Sequence, residues 1–220
     1  MDTQIGSAFS RSGRKHAAAC ALALALVVSE FAFLLLHVSQ SITFSAMVLS
    51  VPLFAYFAGW DDATLGLHLR PRQGWLYWGV AAVVIGLLTL LAVSAWALFL
   101  WIRGSELAAP QVFGAYRDFW PFLLSTCVLA PILEEVLCRL AVCAPAKRLI
   151  GPWPAIALSG IVFASLHFWT GAANPANVVA GFFFAWAYLK SETLAVPVAL
   201  HALGNLCVGI FGLVVLWAGW

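Results

Sequence analysis

The chain has 220 residues, of which 64% are apolar and 9% are charged, and its formal net charge is +2. Soluble domains contain roughly 45–50% apolar and about 25% charged residues, so the composition excludes a soluble globular enzyme as the default and also a disordered chain. The small net charge does not predict nucleic acid binding. We therefore expect an all-α, polytopic transmembrane helix bundle whose chemistry takes place in the bilayer or at its surface.

Apolar runs of about the length of a membrane span follow one another along most of the chain. They predict about seven spans, at residues 17–36, 41–59, 75–102, 119–143, 152–169, 172–189 and 194–220. We divide the chain accordingly into a cytoplasmic N-terminal segment (1–16), the first three spans (17–118) and a catalytic core of four spans (119–220).

The basic residues orient the predicted spans, because cytoplasmic connections retain Lys and Arg. With the N-terminus inside, the outer loops carry only Arg103 and Arg117, while Arg139 lies within a span and the other Lys and Arg residues fall in inner segments. The pattern predicts an integral, multi-pass membrane protein with a cytoplasmic N-terminus.

The fourth run contains three charged residues, Glu134, Glu135 and Arg139, between apolar neighbours. Charged groups in hydrocarbon are costly and are therefore functional candidates. On a helix Glu135 and Arg139 are four residues apart and can pair, whereas Glu134 points about 100° away from that pair. Glu134 would then be protonated, bind a partner on another helix or bind a water. A purely structural ion pair is the alternative, but it does not require a second carboxylate.

Two later runs carry polar residues at comparable depth, the fifth with His167, four residues after Phe163, and the seventh with His201 and Asn205. Counted from the predicted inner turns, Glu134 and His167 both lie roughly 22–25 Å along their helices, and His201 and Asn205 lie about 12 and 18 Å along theirs. Such residues also serve as hydrogen-bonding contacts between membrane helices. We expect Glu134, His167, His201 and Asn205 to meet in one buried pocket.

These motifs stand in a fixed order on successive helices, and together they resemble the CPBP family of intramembrane endopeptidases, which includes the CAAX prenyl proteases and bacterial relatives. The resemblance covers roughly residues 119–208, and the segment Leu65-Gly66-Leu67 is similar to a loop usual in that family. The motifs are Glu134-Glu135-x-x-x-Arg139, Phe163-x-x-x-His167 and His201-x-x-x-Asn205.

The resemblance implies a glutamate-dependent peptidase that uses no metal or other cofactor. Glu134 would activate water with the help of His167, and His201 and Asn205 would stabilise the oxyanion. These roles agree with the needs of hydrolysis, which are an activated nucleophile and a donor directed at the developing negative charge. The residues expected to support this site are Glu135, Arg139 and Phe163.

The implied substrate is a membrane-associated protein or peptide in the lipid bilayer, cut near its C-terminal or membrane-proximal end. A C-terminal sorting tail is one such substrate, and the bacterial inner membrane is the expected location. Two alternatives stay open. One is a zinc-dependent intramembrane protease with Glu134, His167 and His201 as ligands. The other is a non-enzymatic protein, such as a proton-coupled transporter or an immunity protein, that uses the buried polar cluster.

Overall fold

The computed structural model describes residues 65–104, 116–169 and 175–218, together with residues 18, 21, 22, 24–29, 32 and 36. Within these ranges the secondary structure is helical and contains no strand, which confirms the all-α fold class. All of the second predicted span and part of the first lie outside the described residues. The total of seven spans therefore stays a prediction.

Three of the predicted spans (75–102, 119–143 and 152–169) fall completely within the described ranges, two more (172–189 and 194–220) fall there for most of their length, and helices occupy almost all of the described parts of these five. The helices are α1 (Trp75–Ile102), α2 (Phe119–Leu124), α3 (Ala130–Glu135), α4 (Ala144–Ile150), α5 (Pro152–Trp169), α6 (Pro175–Ser191) and α7 (Ala195–Ala218). A 3₁₀ turn, Tyr116–Asp118, precedes α2. Among the described residues, Pro152–Trp169 and Ala195–Val214 are long and apolar enough to cross a membrane.

The fourth predicted span, residues 119–143, is helical throughout but changes its helical pitch twice. Two π-helical segments, Ser125–Leu129 and Val136–Cys143, each end two residues before a proline. Proline has no N–H and its ring clashes with the carbonyl four residues earlier, and a wider π turn relieves both problems. In both places the alanine before the proline donates its N–H five residues back, Ala130 to Ser125 and Ala144 to Arg139.

The described residues form two compact units. The first unit combines Pro131–Val198 with the described residues up to Arg72, and the second combines Gln73–Ala130 with the described residues from Ala199 onward. This division of contacts does not test the predicted boundaries after residues 16 and 118, which stay predictions.

Helices α5 and α6 pack closely in the first unit because glycines face each other there. A Cβ atom on Gly181 would lie 2.9 Å from the carbonyl oxygen of Gly160, and a Cβ atom on Gly160 would lie 2.9 Å from the ring of Phe182. Small residues are the usual means by which membrane helices bring their backbones together. This close approach lies in the unit that also contains Glu134 and Glu135.

Candidate active site

Glu135 and Arg139 form an ion pair that is completely buried. Arg139 Nε donates to Glu135 Oε2 at 2.6 Å and Arg139 Nη2 donates to Glu135 Oε1 at 3.4 Å. Both side chains are 0% exposed. The structure confirms the predicted pairing of these residues and shows that neither side chain is exposed to solvent.

Ser159 of α5 completes this buried pair, and the sequence analysis missed it. Its hydroxyl accepts a hydrogen bond from Arg139 Nη1 at 2.6 Å and donates one to the carbonyl of Cys138 at 2.8 Å. The signal that could have predicted it is the spacing of Ser159, Phe163 and His167. These residues are four positions apart and therefore share one face of α5. Ser159 therefore links α5 to the second π segment.

The ring of Phe163 contacts both Arg139 and His167. The guanidinium carbon of Arg139 lies 5.5 Å from the ring centroid, within the range of a cation–π interaction. The imidazole of His167 lies on the same ring with 4.4 Å between centroids and 32° between the planes. Phe163 is buried, so it gives both groups an apolar support.

Glu134 and His167 face each other, as their matched depths predict. His167 Nε2 lies 3.7 Å from Glu134 Oε2, and the side chains of His167 and Glu134 are 20% and 29% exposed. His167 Nδ1 lies 3.0 Å from the carbonyl oxygen of Phe163. Because a carbonyl only accepts, Nδ1 is the donor, and Nε2 is then the nitrogen directed at the carboxylate.

His201 and Asn205 lie in the second unit, on α7. His201 is buried, and Asn205 Nδ2 donates to the carbonyl of Thr126 at 2.7 Å. The Thr126 carbonyl accepts no N–H from the next turn of the helix, because the N–H of Ala130 donates to the carbonyl of Ser125 and Pro131 has no N–H. The meeting of His201 and Asn205 with Glu134 and His167 stays a prediction, since the two pairs belong to different units.

Among the described residues, no group of three or more His, Cys, Asp or Glu side chains is arranged to hold a metal ion. Chemistry without a metal stays a prediction. The carboxylate and imidazole of the first unit can hold and polarise a small polar molecule without a metal.

The comparisons with known proteins bear on the second half of the chain. Residues 116–207 match the family model described as type II CAAX prenyl endopeptidase Rce1-like. No curated protein matches the chain, and no solved structure matches it. All residues of the three motifs lie inside the matched segment. Residues 116–207, which make up less than half of the chain, are therefore similar to the Rce1-like family of type II CAAX prenyl endopeptidases, and this similarity supports a CAAX-type protease of the membrane.

Proposed function

We propose that the chain is an intramembrane endopeptidase in which Glu134 and His167 activate a water that attacks a peptide bond. The observation that carries the proposal is the separation of 3.7 Å between His167 Nε2 and Glu134 Oε2, with both side chains partly exposed. Their neighbours Glu135 and Arg139 are sealed from solvent. Glu134 is therefore the more exposed carboxylate of the two, although its Oε2 atom is itself buried.

The geometry of Glu134 and His167 suits a shared water. A separation of 3.7 Å is too long for a direct hydrogen bond. Because Glu134 Oε2 is buried, a water shared with His167 would contact the carboxylate from its exposed side. With Nδ1 donating to the carbonyl of Phe163, Nε2 of the neutral ring accepts. The water donates one hydrogen to Glu134 and the other to His167, so its oxygen lone pairs face outward.

The reaction then follows general base catalysis. Glu134 takes a proton from the water as the water oxygen adds to the substrate carbonyl carbon, and the carbonyl oxygen becomes an oxyanion. The same carboxyl group returns the proton to the amide nitrogen when the C–N bond breaks. No cofactor takes part in these steps.

His201 and Asn205 are the proposed donors to the oxyanion. Asn205 Nδ2 uses one of its two hydrogens for the carbonyl of Thr126, which leaves the second hydrogen for the substrate. A donor aligned in advance at a developing oxyanion contributes about 10²–10³ in rate in other hydrolases. The bond to Thr126 orients the amide before substrate binds.

The proposed substrate is a membrane-associated protein cut near its C-terminal or membrane-proximal end. Similarity to a CAAX prenyl endopeptidase family favours a lipid-anchored C-terminus, and an unprenylated C-terminal sorting tail is the other candidate. We place the chain in the bacterial inner membrane as a multi-pass protein with its N-terminus in the cytoplasm. The excess of Lys and Arg in the predicted inner segments supports this orientation.

The test uses the purified full chain in phospholipid vesicles with two fluorogenic probes. One probe is a farnesylated peptide that ends in a CAAX sequence, and the other is an unprenylated transmembrane peptide with a polar C-terminal tail. We expect Glu134→Gln and His167→Gln to lower kcat/KM by about 10²–10⁴. Asp118→Asn is the matched control, because its carboxylate lies in the 3₁₀ turn before α2, and it should match wild type.

Each outcome of this test supports or contradicts one part of the proposal. Cleavage of only one probe identifies the anchor that is recognised. Glu134→Gln activity within about threefold of wild type would contradict the mechanism, because loss of a general base costs far more. Loss of activity with a strong chelator, restored by zinc, would assign the zinc-dependent alternative instead.

A further inference from the structure

Residues 65–72 lie against the turn between α6 and α7, residues 191–194, although more than a hundred residues separate the two in sequence. The backbones are joined at both ends of the contact. Leu194 N–H donates to the carbonyl of Gly66 at 2.8 Å, and Arg72 N–H donates to the carbonyl of Ser191 at 2.9 Å. The two bonds hold the turn at two separate points.

Side chains reinforce these backbone bonds. The hydroxyl of Tyr188 donates to the carbonyl of Leu65 at 2.9 Å, and this side chain is buried. On the exposed side, Arg72 Nη1 lies 2.8 Å from Glu192 Oε1. A further hydrogen bond runs from the Thr193 hydroxyl to the carbonyl of His68.

Gly66 is required at the closest point of this contact. Its φ is +70°, and a Cβ atom there would lie 2.8 Å from the carbonyl oxygen of Glu192 and 2.9 Å from Cα of Thr193. Both are backbone atoms, which cannot rotate away as a side chain can. Gly74 has a similar φ of +78° but nothing within 4 Å of a Cβ atom, so it shares the conformation without the close contact.

The turn that is held in this way leads directly into α7. Thr193 Oγ1 accepts a hydrogen bond from the N–H of Ala195, the first residue of α7, at 3.2 Å, and so satisfies one of the unpaired donors of that helix. Helix α7 runs from Ala195 to Ala218 without a break and carries His201 and Asn205. Residues 65–72 therefore contact the turn that begins the helix bearing both side chains.

We infer that residues 65–72 act as a clamp on the 191–194 turn and are thereby positioning residues for His201 and Asn205. The inference rests on the proposed function, because it assigns the clamp a purpose in aligning the oxyanion donors. A reacting group that is displaced by about 1 Å costs up to about 10²-fold in rate. A loosened clamp should therefore lower kcat while KM changes little, since the substrate still binds.

The experiment compares Gly66→Ala with Gly74→Ala in the full chain in vesicles. Both substitutions place a Cβ atom on a residue with positive φ, but only the first forces residues 65–72 away from the turn. We expect amide hydrogen exchange in residues 65–72 and 191–198 to become about tenfold faster or more in Gly66→Ala. In Gly74→Ala, exchange there should match wild type.

The kinetic measurement uses whichever fluorogenic probe the wild-type chain cleaves. We expect kcat to fall about 10–100-fold in Gly66→Ala with KM within about twofold of wild type. If Gly66→Ala does not fold, Tyr188→Phe removes a single clamp hydrogen bond and should give a smaller change of the same kind.

The possible failures are distinguishable. Faster exchange with unchanged kcat would overturn the positioning role but leave the proposed function intact. Exchange and kcat equal to those of Gly74→Ala would overturn the clamp itself. Activity retained by Glu134→Gln would overturn the proposed function, and the exchange measurement would still report on the clamp.

Discussion

Glu134 and Glu135 are neighbours in sequence, yet they lie in opposite environments. Glu135 is 0% exposed and bonded to Arg139 at 2.6 Å, whereas Glu134 is 29% exposed and faces the imidazole of His167 at 3.7 Å. Successive residues on a helix point about 100° apart, so one step along α3 separates a sealed carboxylate from an accessible one. Removing one member of the buried pair would leave the other charge uncompensated, whereas the partly exposed pair is suited to hold a water.

The largest expected effect on stability comes from Glu135→Ala. It leaves the Arg139 guanidinium buried with its carboxylate partner removed, and breaking a buried ion pair costs about 3–5 kcal/mol. Unfolding of the chain in detergent micelles measures this loss. Glu134→Ala is the matched control, and at a partly exposed position we expect a cost below about 1 kcal/mol. Equal losses would show that the two carboxylates share one structural role.

Ser159→Ala should give the next largest loss of stability. It removes the acceptor for Arg139 Nη1 and the donor to the carbonyl of Cys138, and a buried polar group without its partner costs about 1–3 kcal/mol. Ser125→Ala is the control, because its hydroxyl bonds the carbonyl of Pro121 at an exposed site, and we expect a change within about 0.5 kcal/mol. A stable Ser159→Ala protein would mean that Arg139 needs only Glu135.

The features that the sequence predicts correctly are those set by local helical geometry. The spacing of four between Glu135 and Arg139 predicts their ion pair, and the rise of the helix predicts that Glu134 and His167 lie at one depth. Both follow from counting residues along a helix. The bounds of α1 and α5 coincide with apolar runs for the same reason.

The features that the sequence does not predict depend on distant parts of the chain. Nothing local to Gly66 indicates that it lies against Glu192 and Thr193, because that contact joins residues more than a hundred positions apart. The π segments had a partial signal in the Ala130-Pro131 and Ala144-Pro145 pairs. Proline shows where an α-helix is disturbed, but the neighbouring packing decides whether the helix kinks or widens.

Phe163→Leu gives the smallest expected change in stability, and it tests whether the sealed and accessible pairs are coupled. The ring contacts both Arg139 and His167, so leucine keeps an apolar side chain but removes the ring face. We expect a stability loss of about 1 kcal/mol, from the cation–π contact. The imidazole keeps its hydrogen bond to the backbone carbonyl of residue 163 but loses the surface that orients its plane.

The same substitution should also lower activity. An aromatic contact of this kind contributes about 0.5–1.5 kcal/mol, so kcat should fall about two- to tenfold if the ring orients His167 for the shared water. The measurement pairs unfolding in micelles with kcat on the cleaved fluorogenic probe. Lower stability with unchanged kcat would show that Phe163 supports only the sealed pair. A fall in both would show that one buried ring sets the geometry of the structural pair and of the reacting pair together.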